Sequence, residues 1–168
     1  ISGACDIIAE EISDNAFYRK AIRSITYKTG KIVTSCAKKE EEVSTYDMYY
    51  NFSENVGKIP PHRILAITRG EKEGFLKVKL ELNEEEVNSY LEKKVIKSDS
   101  IFKEYLKMAL QDSYKRLIKP SIEREIFSDK FEEASEQAIK VFGINAKNLL
   151  MQPPIKNKVV MGFDPAYR

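Results

Sequence analysis

A run of helical periodicity between Pro120 and Met151 is the feature that most constrains the fold of this chain. Within the run, apolar side chains recur at steps of three and four residues, so a helix would be apolar along one face. These side chains belong to Ile122, Ile126, Phe127, Phe131, Ala134, Ala138, Val141, Phe142 and Leu149. Pro120 suits the first turn of a helix, where its missing N–H is not needed. At the usual rise per residue the helix is about 46 Å long, so it either forms the core of one domain or spans between domains.

The apolar stripe makes a quantitative prediction about packing. We expect Phe131, Ala138 and Phe142 to be buried against helices that precede them in the chain. Phe142→Ala should then lower the free energy of unfolding by about 3–5 kcal/mol, the usual range for truncating a buried aromatic side chain. The weak point of the run is Gly143, because glycine in a helix costs about 1 kcal/mol relative to alanine.

The chain changes character after this helix. Pro153 and Pro154 break the helical pattern, and an apolar segment from Val159 to Pro165 follows. We expect this segment to be the first strand of a further domain, which makes the chain an internal part of a larger protein. A lone strand leaves its N–H and C=O groups unpaired, so here it should be mobile, lie against the helices or pair with a neighbouring molecule. The predicted division is therefore 1–119 (helical region), 120–154 (long central helix) and 155–168 (first strand of a truncated domain).

Composition excludes several classes of protein. The 168 residues are 42% hydrophobic and 32% charged, which is ordinary for a soluble globular chain of one domain. A net charge of +2 creates no global basic field that would require nucleic acid or an anionic membrane. No apolar run approaches the roughly 20 residues that span a bilayer, so we predict no membrane partner. Cys5 and Cys36 lack the spacing of a metal or redox site, which favours reduced thiols in the cytoplasm.

Helical patterns recur before the long helix. We predict helices over 4–12, 15–29, 83–95 and about 101–118, with Asn15 and Asn83 as N-caps. The run 38–42 carries mixed charges and should be solvated. A further helical pattern begins near Glu41, and Ser53 is predicted to cap a short turn after it. The apolar positions of this pattern are Val43, Tyr46, Tyr49 and Tyr50.

Two segments stay ambiguous between helix and strand. Lys31–Ala37 contains β-branched residues but is short, and Pro61–Gly74 fits either a helix or a strand followed by a turn. Leu76–Leu82 is clearer, because apolar and charged residues alternate there as in a half-buried strand. We therefore predict a mainly α fold that is multi-helical, with a long central helix and one or two short β-strands.

No constellation of residues predicts a complete catalytic, metal or cofactor site. His62 has no Cys or His cluster with which to bind a metal, so we assign it a structural role. The acidic runs, such as Glu84–Glu86, point in different directions on a helix and are typical of a solvated surface. A glycine-rich phosphate loop is missing from the sequence, and we predict no cofactor.

Asp164 is the one sharp chemical hint. It follows an apolar segment, as the first metal-binding aspartate of RNase H-like nucleases follows their first strand. Two-metal chemistry needs further carboxylates to hold two ions about 3.5–4 Å apart, and the residues after Asp164 do not supply them. We therefore expect this chain to cut neither DNA nor RNA.

Several stretches together resemble one family of proteins, the Tex family of bacterial transcription accessory proteins. They follow the family's order and cover nearly the whole chain. The stretches are Asp6–Ser13, Ile59–Arg63, Arg69–Glu73, Asp112–Leu117, Pro120–Glu125, Gln152–Pro154 and Val160–Pro165.

The resemblance implies a multidomain cytoplasmic protein that binds nucleic acid and is linked to transcription. Family members have an N-terminal helical region, a long central helix and a YqgF-type RNase H-like domain. A helix-hairpin-helix region and an OB-fold RNA-binding domain follow. The resemblance favours a helix at Pro61–Gly74. It also weakens any metal site at Asp164, because Ala166 stands where the family usually has glycine.

These observations predict a non-enzymatic helical scaffold within a nucleic-acid-binding protein. RNA or DNA is the expected partner of the intact protein, with the transcription machinery as a further partner. The candidate phosphate contacts of this chain are Arg63, Arg69, Lys115 and Arg116, and we expect binding to be weak and sensitive to salt. The alternatives are part of a YqgF-type metal-dependent nuclease with Asp164 as a metal ligand, or a helical interaction module without nucleic-acid contact.

Overall fold

Helices form most of the chain, and one small antiparallel sheet lies among them, as the sequence predicts for a mainly α fold. The computed structural model describes residues 2–37, 44–97 and 101–165, apart from the side chain of residue 2. The predicted solvated run at 38–42, the apolar position Val43 and the family departure at Ala166 lie outside the described residues.

The strands lie between helices in the chain, and all three precede the long helix. The helices are α1 (Ser2–Asp14), α2 (Ala16–Thr29), α3 (Pro61–Lys72), α4 (Glu84–Val95), α5 (Lys103–Asp112) and α6 (Lys119–Leu150). The strands are β1 (Lys31–Cys36), β2 (Asn51–Asn55) and β3 (Leu76–Glu81). A 3-10 turn at Asp47–Tyr49 precedes β2, and a π-helical segment at Ser113–Ile118 joins α5 to α6.

Two predicted N-caps are confirmed. The side chain of Asn15 accepts hydrogen bonds from the N–H groups of Phe17 and Tyr18 at 3.0 and 3.3 Å. That of Asn83 accepts one from the N–H of Glu86 at 3.2 Å. Each bond satisfies a donor that the first turn of a helix leaves without a backbone partner.

β1 is the middle strand of the sheet, with β2 on one side and β3 on the other, both antiparallel. The ambiguous segment Lys31–Ala37 is therefore a strand, and the strand predicted at Leu76–Leu82 is confirmed. Three described strands are present, one more than the upper number expected. Alternate side chains such as Ile32 and Leu80 point into the core and are buried.

The helix predicted from Glu41 is wrong in the part that the structure describes. Tyr46 and Tyr49 are buried around a single 3-10 turn, and β2 follows directly. Ser53 lies within β2, opposite Val33 of β1, and does not cap a turn. A spacing of three residues suits an α-helix and a 3-10 turn equally. A run as short as this one therefore cannot distinguish the two structures.

The second ambiguous segment is helical and forms α3. It packs against α6 and β3 and ends before Gly74, which adopts φ +75°. Gly70 lies where α3 approaches β3, since a Cβ on this residue would come within 2.7 Å of Leu76 Cδ1. The lack of a side chain at Gly70 thus permits the close packing of helix on strand.

α5, the π-helical segment and α6 form one continuous helical run of 48 residues. The π-helical segment packs into the core, as the buried Ser113 shows. Tyr114 and Ile118 are fully buried, whereas Phe102 and Tyr105, which helical spacing places inward, are 60% and 42% exposed.

Only the first half of α6 belongs to the core. Ile122, Ile126 and Ala134 are buried as predicted, but Ala138 is exposed and Phe131 and Phe142 are 39% and 74% exposed. The predicted burial of these last three is wrong, and so is the large cost of Phe142→Ala. The apolar stripe continues in the sequence beyond Ala134, and there the start of α3 lines a cavity with Val141 and Phe142. The first half of the long helix is therefore core, and the interpretation that the helix spans between domains stays a prediction.

The segment after α6 is exposed and contains no strand within 155–165. The side chains of Val159, Met161 and Phe163 are among the most exposed apolar groups described. The expected pairing of this segment in a further sheet stays a prediction, as does the three-part division of the chain. The boundary placed between 119 and 120 falls inside the continuous helical run.

Candidate nucleic-acid interface

Two of the predicted phosphate contacts lie on α3. The guanidinium of Arg63 donates a 2.7 Å hydrogen bond to Glu54 Oε2 and lies 5.6 Å from the centre of the Phe52 ring. Arg69 is exposed further along the same helix. Arg63 is therefore held by a carboxylate of the chain itself, and its charge is partly neutralised before any phosphate arrives.

The other two predicted contacts lie in the π-helical segment. Arg116 donates to both carboxylate oxygens of Asp112, the shortest bond being 2.7 Å, and its Nη2 lies 3.8 Å from Asp6 Oδ1. This contact holds the pKa of Asp112 below its ordinary value. Lys115 is exposed beside it. Arg116 thus resembles Arg63 in having an acidic partner within the fold.

A different set of cations lies on the outer face of the sheet, and we call it the lysine face: Lys31, Lys77 and Lys79. All three side chains are exposed, because they alternate with the buried positions of β1 and β3. The strand register places Lys77 opposite Ser35, Lys79 opposite Val33 and Lys31 opposite Glu81. Between described residues no ion pair within 4.0 Å involves these lysines.

β3 adds one acidic group to this outer face, Glu81, which lies opposite Lys31, and β2 adds none. β2 contributes Asn51, Ser53 and Asn55 opposite the odd-numbered residues of β1. Asn55 Nδ2 donates to the backbone oxygen of Lys28, whose exposed side chain lies at the same end of the sheet. The face is therefore polar and positively charged. Sequence reasoning detected the alternation within β3 but missed the face, because it did not establish β1 as the neighbouring strand.

A groove of about 800 Å³ lies between β3 and α6, and we call it the β3 groove. Its lining residues are Glu71, Val78, Lys79, Leu80, Glu81, Leu82, Glu84, Lys119, Glu123, Arg124 and Phe127. Lys119 Nζ donates a 2.6 Å hydrogen bond to Glu84 Oε1, which holds the pKa of Glu84 below its ordinary value. Burial acts in the opposite direction on Glu123 and raises the pKa of that carboxyl group.

Tyr114 lies close to this pair of carboxylates in the core. It is fully buried, and its hydroxyl has no hydrogen-bond partner among the described residues. Burial raises the pKa of the Tyr114 hydroxyl, and the negative charges of Glu84 and Glu123 raise it further. A buried polar group without a partner destabilises a fold by about 1–3 kcal/mol.

The described part of the chain brings together no set of ligands for a metal ion. Across 2–37, 44–97 and 101–165, no three His, Cys, Asp or Glu side chains form such a group. Asp164 lies in the exposed segment after α6, and His62 lines an apolar cavity of about 470 Å³ beside Phe142. Cys5 and Cys36 form no disulfide. No helix in the described ranges has the length and apolar character needed to cross a membrane.

Comparison with known proteins identifies relatives along the whole chain. A family described as "Tex central region-like" matches residues 1–142. The chain is 48% identical over 171 residues to the uncharacterized protein YdcI of Bacillus subtilis and 28% identical over 183 residues to protein tex of Bordetella pertussis. It is also 28% identical over 180 residues to the human S1 RNA-binding domain-containing protein 1.

The chain corresponds to only a part of each relative. These alignments include 100%, 100% and 99% of the chain but 24%, 23% and 18% of the three relatives. The chain therefore spans about a quarter or less of the length of the proteins it matches.

Proposed function

Because the chain belongs to the Tex family, we propose that it is the helical scaffold of a transcription accessory protein that binds RNA. The single observation that carries this proposal is the division of α6. Its first half is fixed in the core by Ile122, Ile126 and Ala134, while its second half leaves the core with apolar side chains exposed. Such a helix is suited to holding another part of a protein at a fixed distance from its own domain. The names of relatives support RNA as the nucleic acid, since two are called S1 RNA-binding domain-containing proteins.

The scaffold role is tested on the exposed half of α6. Val141 and Phe142 are 52% and 74% exposed, so Val141→Asp with Phe142→Asp should leave the melting temperature of this chain within about 2 °C, because exposed positions contribute little to stability. In the intact protein the same two substitutions should lower the melting temperature and weaken RNA binding. Lys140→Asp, on the same turn but polar, is the control. If the double variant and the control have equal effects on the melting temperature and RNA binding of the intact protein, the scaffold role is refuted.

The lysine face is our proposed contact between this chain and the RNA backbone. Between described residues its lysines form no ion pair within 4.0 Å, in contrast to Arg63 and Arg116. Phosphate contacts release counterions, so the affinity should fall steeply as salt rises. Fluorescence anisotropy with single-stranded RNA between about 50 and 200 mM salt measures this dependence.

Two sets of variants distinguish the lysine face from the arginines. Changing Lys31, Lys77 and Lys79 to Gln should weaken binding for every RNA sequence and reduce the salt slope by about 1 per lost contact. Changing Arg63 and Arg116 to Gln should have a smaller effect, because carboxylates already occupy both side chains. If the arginine variants weaken binding more than the lysine variants do, the arginines and not the lysine face form the interface.

We further propose that this chain is not itself a nuclease. The proposal is supported by the position of Asp164, which lies outside any described cluster of metal-ligating side chains. Incubation of RNA or DNA with the purified chain and Mg²⁺ or Mn²⁺ should give no cleavage. Cleavage that disappears in Asp164→Asn would instead support the metal-dependent alternative.

A further inference from the structure

β3 is an edge strand, and its free edge faces the β3 groove. The sheet order places β1 on one side of β3 and no described strand on the other. Five consecutive residues, Val78 to Leu82, line the groove, and α6 contributes the opposite wall through Lys119, Glu123, Arg124 and Phe127. β1 and β2 contribute no lining residue. The groove therefore runs along the side of β3 that carries no strand.

The register shows which backbone groups point into the groove. Ala37 N–H donates to Phe75 O at 2.8 Å, just beyond the paired strands. In an antiparallel pair, hydrogen-bonded positions alternate with positions that are not bonded. Counting in steps of two from Phe75, residues 77, 79 and 81 bond to β1. The N–H and C=O groups of Val78 and Leu80 consequently point away from β1, toward α6.

The opposite edge of the sheet, on β2, is partly occupied by contacts within the chain. In β2, the C=O of Asn55 already accepts hydrogen bonds from the N–H groups of Lys58 and Ile59, both at 3.0 Å. Glu54 is held by Arg63, which also covers the Phe52 ring. Asn51 and Ser53 also point outward from β2, so what distinguishes the β3 edge is the groove that it forms with α6.

We propose that the β3 groove binds an extended polypeptide segment of a partner protein, which adds to β3 as an antiparallel fourth strand. Addition of a strand to an exposed sheet edge is a recurrent mode of peptide recognition, in which main-chain hydrogen bonds supply affinity and alternate side chains supply specificity. Here the N–H and C=O groups of Val78 and Leu80 would gain partners that no described hydrogen bond supplies. The site shares Lys77 and Lys79 with the lysine face, but it depends on the strand edge and not on phosphate contacts.

The side chains beside the edge define the chemistry of the segment. On the outer face, Lys77 and Lys79 are exposed and followed by Glu81. Opposite charges in directly facing positions stabilise a strand pair, and like charges destabilise it. The segment should therefore carry acidic side chains opposite the two lysines and a basic one opposite Glu81. Inward positions of the segment would lie near Val78 and Phe127, so they should be apolar.

A synthetic peptide of this pattern serves as the probe. Capped at both ends, Val-Lys-Val-Asp-Val-Asp-Val places the basic side chain opposite Glu81 and the acidic ones opposite Lys79 and Lys77 in an antiparallel register. The reversed-charge peptide Val-Asp-Val-Lys-Val-Lys-Val is the control. Fluorescence anisotropy should show binding of the first peptide and at least about tenfold weaker binding of the second. Equal affinity for the two peptides would refute the proposed specificity.

Amide hydrogen exchange reports the edge directly. In the free chain, the amides of Lys77 and Lys79 should be protected by β1, while those of Val78 and Leu80 exchange faster. Peptide binding should protect Val78 and Leu80 and leave Lys77 and Lys79 unchanged. Binding without protection at Val78 and Leu80 would place the peptide elsewhere and overturn the proposal.

Val78→Pro removes one outward N–H without breaking a bond to β1, because proline is tolerated on an edge where the N–H faces solvent. It should weaken peptide binding at least about tenfold, whereas Val78→Ala, which keeps the N–H, should have a much smaller effect. Circular dichroism checks that both variants keep the fold.

If Val78→Pro does not fold, a charge swap keeps the proposal testable. Lys77→Glu with Lys79→Glu should reverse the preference between the two peptides, and an unchanged preference would refute it. Self-association of the chain that Val78→Pro abolishes, without any peptide binding, would assign the edge to a second copy and overturn the proposal.

Discussion

Among single residues, Tyr114 offers the cleanest test of how the core is assembled. Its hydroxyl is buried without a partner among the described residues, so Tyr114→Phe should leave the free energy of unfolding unchanged or raise it by about 1 kcal/mol. Tyr46→Phe is a matched control, because the Tyr46 hydroxyl donates a 2.9 Å hydrogen bond to Glu73 Oε2. The control should lose about 0.5–1.5 kcal/mol. Chemical denaturation measures both, and a larger loss for Tyr114→Phe would show that its hydroxyl has a partner.

Glu123 predicts a dependence of stability on pH. Burial raises its pKa in the fold above the ordinary 4.5, so the folded state holds the proton more tightly than the unfolded chain does. Between these two pKa values stability must fall as the pH rises. Glu123→Gln removes the ionisation and should increase stability at neutral pH relative to the original chain, while the two converge below the ordinary value. Denaturation curves at several pH values check this, and parallel curves would exclude Glu123 as the cause.

Glu84 affects the pH dependence of stability in a lower pH window than Glu123, and there stability falls as the pH falls. The hydrogen bond from Lys119 lowers the pKa of Glu84 below the ordinary 4.5. Its contribution is therefore complete above that value and is lost as the pH falls through the lower, folded-state pKa. Glu84 thus contributes no slope in the window assigned to Glu123.

At the scale of elements, two glycines predict opposite effects of the same substitution. Gly30 joins α2 to β1, and a Cβ there would lie 2.5 Å from the carbonyl oxygen of Thr26, a backbone atom that cannot move aside. Gly30→Ala should therefore destabilise the chain by about 1–3 kcal/mol, as overpacking usually does. Gly143 lies within α6 with nothing within 4 Å of such a Cβ. Gly143→Ala should favour helix locally by about 1 kcal/mol.

The two glycine variants need different measurements. Gly30→Ala should lower the melting temperature of the whole chain. Gly143→Ala should raise the helical signal in circular dichroism with little change in melting temperature, because its half of α6 lies outside the core. A loss of stability in Gly143→Ala would indicate a packing contact that the structure does not show.

The elements also show how far sequence reasoning reaches. α2, α4 and β3 were predictable, since Asn15 and Asn83 provide caps and Leu76–Leu82 alternates without interruption. β2 was not, because Tyr46 and Tyr49 have a spacing that serves a 3-10 turn as well as a helix. The division of α6 was also hidden, because the apolar stripe continues past the point where the packing partners end.

The candidate site was predicted less well than the fold, for a related reason. Arg63 and Arg116 could be identified as cations, but their acidic partners Glu54 and Asp112 are visible as partners only in the fold. The lysine face depends on the register between β1 and β3, which joins residues more than forty positions apart. Local periodicity carries no information on such pairings.

For the whole molecule, the exposed end of α6 predicts tolerance to truncation. No described residue beyond Ala134 is buried, so a chain ending after Lys147 should keep its melting temperature within about 2 °C, as expected for changes outside packed regions. A chain ending after Ile126 would lose Ala134. It would also lose a cation–π contact, in which Lys130 Nζ lies 5.6 Å from the centre of the Tyr27 ring. This second chain should be clearly destabilised. Equal stability of the two would show that the part of α6 after Ile126 is dispensable for the core.

The two halves of α6 also give the molecule the mechanics of a lever. The first half is clamped, and the second extends about 24 Å from Ala134 to Leu150 at the usual helical rise. For an arm of that length, a rotation of about 10° at the clamp displaces the tip by roughly 4 Å. A small rearrangement near Ala134 would thus be amplified at the far end of α6. Any domain attached there would be displaced by it.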